Sequence, residues 1–103
     1  MEVPVNRFKR ALRESRPQIG LWSVLANGPV TEMLRTAADD WLLIDMEHSP
    51  NGLESTLAQL HAVSAYPATP VVRVPIGDVV TIKQVLDLGA QNILVPMVSS
   101  ADE

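Results

Sequence analysis

The sequence predicts an α/β fold in which four parallel strands alternate with amphipathic helices, and three observations carry this. Four short apolar runs recur, at Ile19-Gly20-Leu21-Trp22, Trp41-Leu42-Leu43-Ile44-Asp45, Val71-Val72-Arg73-Val74 and Ile93-Leu94-Val95-Pro96-Met97-Val98, with starts 22, 30 and 22 residues apart. The runs are continuous and do not alternate, the pattern of strands covered on both faces. Segments with helical periodicity fill the gaps, so the chain reads as consecutive βαβ units joined by right-handed crossovers.

In chain order, a short helix over 5–15 precedes the first strand, with Arg7, Lys9, Arg10, Arg13 and Arg16 around Phe8, Ala11 and Leu12 as its solvated side or, alternatively, a polyanion or phosphate site. Strands are expected near 19–22, 41–45, 71–74 and 93–98. Val30 to Ala38 is the first intervening helix. The second opens at Asn51 as N-cap, with Glu54 in capping-box position and a stripe of Leu53, Leu57, Leu60 and Ser64. The third opens at Asp78, carries Ile82, Val85 and Leu86 on one side, and stops at Gly89, a residue suited to the position after a helix end. Ser99-Ser100-Ala101-Asp102-Glu103 reads as the N-cap and first turn of a further helix. Two closures fit these elements: a small open doubly wound sheet, or part of a (β/α)8 barrel, which takes about 250 residues when whole. A stop on a newly begun helix points to residues 1–103 as one partial domain, either truncated or completed by another segment.

Composition removes several classes of function. Net charge is −4 and the pI about 5.0, against a nucleic-acid binder. No apolar run reaches the roughly 18 residues of a membrane span, and no secretory pattern opens the chain, so a cytoplasmic protein is expected. Cysteine is absent, which removes disulfides, thiolate nucleophiles and thiolate metal sites. Lys9 precedes the first strand and Lys83 lies within a helix, so no lysine stands where a Schiff base would form. The five glycines form neither a G-x-G-x-x-G nor a P-loop pattern. His61, in the last turn of its helix, suits packing or the helix dipole better than ligation.

Ligands of either closure bind beyond the carboxyl ends of the strands. The polar groups there are few: Trp22 on the first strand, Asp45, Glu47 and His48 after the second, and Arg73 on the third. Two carboxylates and an imidazole within four residues are costly when desolvated and unpaired. They suit either metal-ordered water and acid/base chemistry, or simple loop capping and solvation. Arg73 inside an apolar run needs an anion: a substrate oxyanion, a partner in Asp45 or Glu47, or both.

The blocks Pro17-Gln18-Ile19-Gly20-Leu21-Trp22, Asp40 through Pro50 with its D-x-E-H-S-P core, Pro70-Val71-Val72-Arg73, Ile82 through Gly89 and Leu94 through Val98 together resemble the HpcH/HpaI aldolases, in order and over essentially the whole chain. This resemblance implies the N-terminal half of a (β/α)8 TIM barrel. It implies an enzyme that reversibly cleaves 4-hydroxy-2-oxo acids to pyruvate and an aldehyde with a divalent metal (Mg2+, Mn2+ or Co2+). By the same resemblance His48 is the acid/base, Arg73 binds substrate and stabilises charge on the keto oxygen, Asp45 and Glu47 order water around the metal, and Trp22 walls the substrate pocket. Asp87 is implied to raise the basicity of the histidine. Its place in the last turn of a helix running away from the rim fits either a solvated surface carboxylate or one that reaches the His48 of a neighbouring subunit. The family's metal ligands, a Glu and an Asp from later strands, are expected beyond residue 103, with none in this chain. A homo-oligomer, a hexamer by analogy, is implied for the whole enzyme, with no nucleic-acid or membrane partner and with the chain alone inactive. The alternatives are a non-catalytic half-barrel acting as an assembly module, or a small module binding an anionic metabolite through Arg73.

Overall fold

A computed structural model describes residues 1–103. In chain order the elements are α1 (Arg7–Arg13), β1 (Gly20–Ser23), α2 (Gly28–Leu34), β2 (Trp41–Asp45), α3 (Leu53–Ser64), β3 (Thr69–Arg73), α4 (Val79–Asp87) and β4 (Ile93–Leu94). The four strands form one parallel sheet in the order β1-β2-β3-β4. The register sets Trp22 beside Leu43 and Asp45 beside Arg73.

Side chains on alternate strand positions divide between two faces. Leu42, Ile44, Val72 and Val74 point to the helical layer, where they meet Leu34 of α2, Leu60 and Val63 of α3, and Val85 of α4 in two core clusters. Each of these strand residues has almost no surface left in water. Trp22, Trp41, Leu43 and Val71 line the other, concave face with Phe8 and Leu12, around a cavity of about 460 Å³. Sequential strand order with the three crossover helices α2, α3 and α4 on one side is barrel winding; a doubly wound sheet reverses its order and carries its crossover helices on both faces. The fold is thus four parallel strands and four helices wound as half of a (β/α)8 barrel. No helix is long and apolar enough to cross a membrane.

Several boundaries differ from the sequence reading. α1 is shorter than 5–15 because the Asn6 side chain accepts from the Lys9 N–H and caps it there. Its four basic residues, Arg7, Lys9, Arg10 and Arg13, are exposed, as expected, and so is Arg16 beyond its end. β1 and β3 are displaced from 19–22 and 71–74, since pairing to β2 sets their ends. β4 is two residues long, not six: Pro96 has no N–H to donate and Met97 turns into the left-handed region (φ 59°), so the chain leaves the ladder. α2 begins early, at Gly28, because Asn27 caps it and Pro29 suits its first turn. The N-cap of α3 is Gly52, not Asn51, and the residue answering it is Ser55, whose Oγ accepts from the Gly52 N–H at 3.1 Å. The buried face of α3 is Thr56, Gln59, Leu60 and Val63, rotated from the expected stripe because this helix packs on α2 as well as on the sheet.

α4 follows its signals. Asp78 accepts from the Thr81 N–H at 2.7 Å. Gly89, at φ 108°, closes a Schellman turn in which its own N–H bonds to Leu86 O and that of Ala90 to Val85 O. Residues 100–103 form a turn, with Glu103 reaching back to the Ser99 N–H.

Candidate active site

The polar residues expected at the strand ends lie together at one rim. Asp45, the last residue of β2, is 1% exposed, and its carboxylate is saturated. Arg73 donates to it through Nε (2.9 Å) and Nη2 (2.7 Å), a bidentate fork. Trp22 Nε1 donates at 3.3 Å from β1. The backbone N–H groups of Glu47 (2.9 Å) and His48 (3.4 Å) donate to Oδ1, folding the chain over as it leaves the strand. The Arg73 guanidinium, with the help of these N–H donors, holds the Asp45 carboxyl far below the usual carboxylate range despite its burial. Reciprocally, Asp45 and Glu47 raise the Arg73 pKa above its ordinary value.

Arg73 is therefore ion-paired, one of the two uses foreseen for it, and N–H groups of Nη1 and Nη2 are left over. Its side chain is 18% exposed, and its guanidinium carbon lies 4.9 Å over the Trp22 ring, a cation–π contact. Nη1 also sits 3.0 Å from Glu47 Oε2. That is an ion pair by distance without hydrogen-bond geometry, so Oε2 is a buried oxygen lacking a hydrogen-bond partner. His48 projects from the loop with its side chain 71% exposed, Nε2 being 3.5 Å from Glu47 Oε1. Trp22, 41% exposed, stands at the edge of the concave cavity.

Asp87 is not brought to this rim. It is the last residue of α4, exposed, at the end that points away from the strand carboxyl ends, roughly 12 Å along the helix from its start. His61 is exposed in the last turn of α3, where its charge would complement the dipole. No group of three or more His, Asp or Glu side chains converges as a metal site. Both oxygens of Asp45 are committed to donors, and Glu47 Oε2 is buried against Arg73 Nη1.

Sequence reasoning missed the groups that hold the rim from behind. Ser49 Oγ and Asn51 Nδ2 (2.6 Å) both donate to the Asp45 carbonyl, which lies beyond the end of β1 and has no strand partner on that side. The available signal was the run of short polar residues directly after the strand, a composition that bonds back to local backbone.

Comparison with known proteins agrees with this architecture. The HpcH/HpaI aldolase/citrate lyase family model matches residues 18–103. The hydroxypyruvate/pyruvate aldolase of Paraburkholderia phytofirmans is 57% identical over 103 residues, covering 100% of this chain and 39% of that protein. The 4-hydroxy-2-oxo-heptane-1,7-dioate aldolase of Salmonella dublin is 56% identical over 98 residues, 95% of this chain and 37% of that one. The crystal structure of a family protein from Burkholderia cenocepacia J2315 superposes with a TM-score of 0.91 at 40% identity, covering 95% of this chain and 39% of the other. The chain spans about two fifths of the length of the relatives it matches. With the barrel winding, the rim cluster and the family model all in agreement, this chain belongs to the HpcH/HpaI aldolase/citrate lyase family.

Proposed function

We propose that these residues form the acid/base half of a metal-dependent pyruvate aldolase that reversibly cleaves 4-hydroxy-2-oxo acids into pyruvate and an aldehyde. One observation carries the reading. A buried Asp45 carboxylate fixes the Arg73 guanidinium in place, with spare N–H groups, beside an exposed imidazole and a carboxylate oxygen without a donor.

In cleavage the C3–C4 bond breaks. The C4 hydroxyl gives its proton to Nε2 of His48, and the aldehyde departs. The electron pair moves toward the keto oxygen, where the remaining Arg73 N–H groups meet the developing charge; one such donor is worth about 3–4 kcal/mol of barrier. The proton held on His48 then returns to C3 and yields the methyl group of pyruvate. Trp22 forms the apolar wall that keeps the 2-oxo acid against this rim. A bound divalent ion (Mg2+, Mn2+ or Co2+) would supply Lewis-acid polarisation of the keto oxygen. In this chain Glu47 would hold water of its hydration shell, and Asp45 would serve by orienting Arg73. Asp87 would act across a subunit boundary in a homo-oligomer, where its distance within one chain is not an obstacle.

The concave face needs the remaining strands of a barrel over it, and the chain alone is proposed to be inactive. The test is a longer protein that carries this segment with the further strands its relatives possess. It should cleave 4-hydroxy-2-oxo acids with Mn2+ or Mg2+ and stop on chelation. His48→Ala and Arg73→Ala should each remove nearly all turnover; unchanged turnover in either sinks the mechanism.

A further inference from the structure

Behind the rim runs a continuous chain of buried and half-buried polar side chains that the chemistry above does not use. Ser23 Oγ on β1 lies 3.2 Å from Thr31 Oγ1 on α2, which donates to Gln59 Oε1 on α3 at 2.8 Å. Gln59 Nε2 donates to Asn51 Oδ1 at 2.6 Å and to Ser55 O at 2.9 Å. Asn51 Nδ2 then donates to the Asp45 carbonyl and, at 2.8 Å, to Ser49 Oγ. Ser23, Thr31 and Gln59 have no surface in water.

A leucine or methionine at position 59 would fill the α2–α3 interface without the cost of desolvating an amide. Both ends of the Gln59 amide are instead satisfied, and a fully satisfied polar network fixes one arrangement of the groups it joins. What it joins is informative. The loop between β2 and α3 carries Glu47 and His48, and Asp45 grips it from the sheet side through its carboxylate and its carbonyl. Asn51 grips the same loop from the helix side, and its own orientation is set by Gln59 and Ser55. A displacement of about 1 Å in a catalytic group can cost about 100-fold in rate, so an exposed His48 needs a backbone that does not wander.

We infer that Asn51, oriented by Gln59 and through it by Thr31, is a positioning residue that sets the loop presenting Glu47 and His48. What that loop does rests on the aldolase reading; how it is held does not.

Hydrogen exchange on the longer protein that carries this segment tests the holding. In Asn51→Ala and Gln59→Met, the amides of Glu47 and His48 should exchange about tenfold faster, while strand amides such as Leu43 and Val72 keep their protection. Thr31→Val, nearly isosteric, should give a smaller effect in the same place, and Thr31→Ser should restore it. It keeps the test decisive if Asn51→Ala does not fold. Unchanged loop exchange in folded variants, or a rise shared equally by the strands, overturns the inference. In the longer protein, Asn51→Ala should lower kcat about tenfold with little change in KM; loosened exchange with unchanged kcat also overturns the positioning role. A longer wild-type protein without aldolase activity would refute the function proposed above and leave the exchange result standing.

Discussion

Replacing Asp45 with alanine removes a single acceptor group that five donors share: Arg73 Nε and Nη2, Trp22 Nε1, and the N–H groups of Glu47 and His48. Breaking a buried ion pair by deleting one partner costs about 3–5 kcal/mol, chiefly because the other charge is left behind unpaired. Here the lower end applies. The Arg73 side chain is 18% exposed and keeps Glu47 Oε2 at 3.0 Å, so solvent and a second carboxylate screen the loss. The expected cost is about 3 kcal/mol for Asp45→Ala, a large share of the roughly 5–15 kcal/mol that holds an ordinary domain together. Asp45→Leu combined with Arg73→Met removes both charges at once. If the cost is the stranded guanidinium, this double variant should be more stable than Asp45→Ala. The assay is urea unfolding of all three proteins at pH 7, with slopes compared to confirm that the unfolded states match. A loss below about 1 kcal/mol for Asp45→Ala, or a double variant no more stable than Asp45→Ala, would refute the claim that Asp45 is the counter-ion of Arg73.

Acid should act through the same group. Its carboxyl is depressed in the folded state, so its contribution is complete above the unfolded value of about 3.9 and declines as pH falls from there toward the folded value. Asp45→Asn should therefore flatten the acid limb of the stability curve; an unchanged limb would count against the pairing. His48→Ala should change stability by no more than about 0.5 kcal/mol, because the side chain is 71% exposed. A melting curve shared with wild type would make its loss of turnover in the longer protein a chemical effect. Gly20→Ala places a Cβ into the Trp41 ring, which packs on Phe8 and Trp22. It should cost about 1–3 kcal/mol and alter the near-ultraviolet dichroism of the tryptophans, and an unaltered spectrum would contradict this packing.

Much of the rim was legible because charged residues in or just after apolar runs are conspicuous. Arg73 between Val72 and Val74, and Asp45 after Leu42-Leu43-Ile44, must meet partners, and in a parallel sheet their partners lie at the strand ends. Their pairing with each other was one of two readings until the register placed Asp45 opposite Arg73. Asn51 was misread because a good N-cap residue stood one position before the real cap. Its side chain is used on a strand-end carbonyl, a demand that arises only once β1 has ended short of β2.

By itself the sequence determined the alternation of strands and helices, the caps at Asp78 and Gly89, and the set of polar residues available at one rim. These follow from local rules: side-chain periodicity, backbone freedom and the positions at which an apolar run stops. Periodicity left an open sheet and a barrel both possible, the family resemblance implied the barrel, and the one-sided layer of crossover helices bears it out; the tertiary structure alone decided the saturation of Asp45, the donor-free oxygen of Glu47, and the Thr31–Gln59–Asn51 chain. Each of these depends on which groups distant in sequence meet once the strands pair and α2, α3 and α4 settle on one face of the sheet, and no local pattern encodes that meeting.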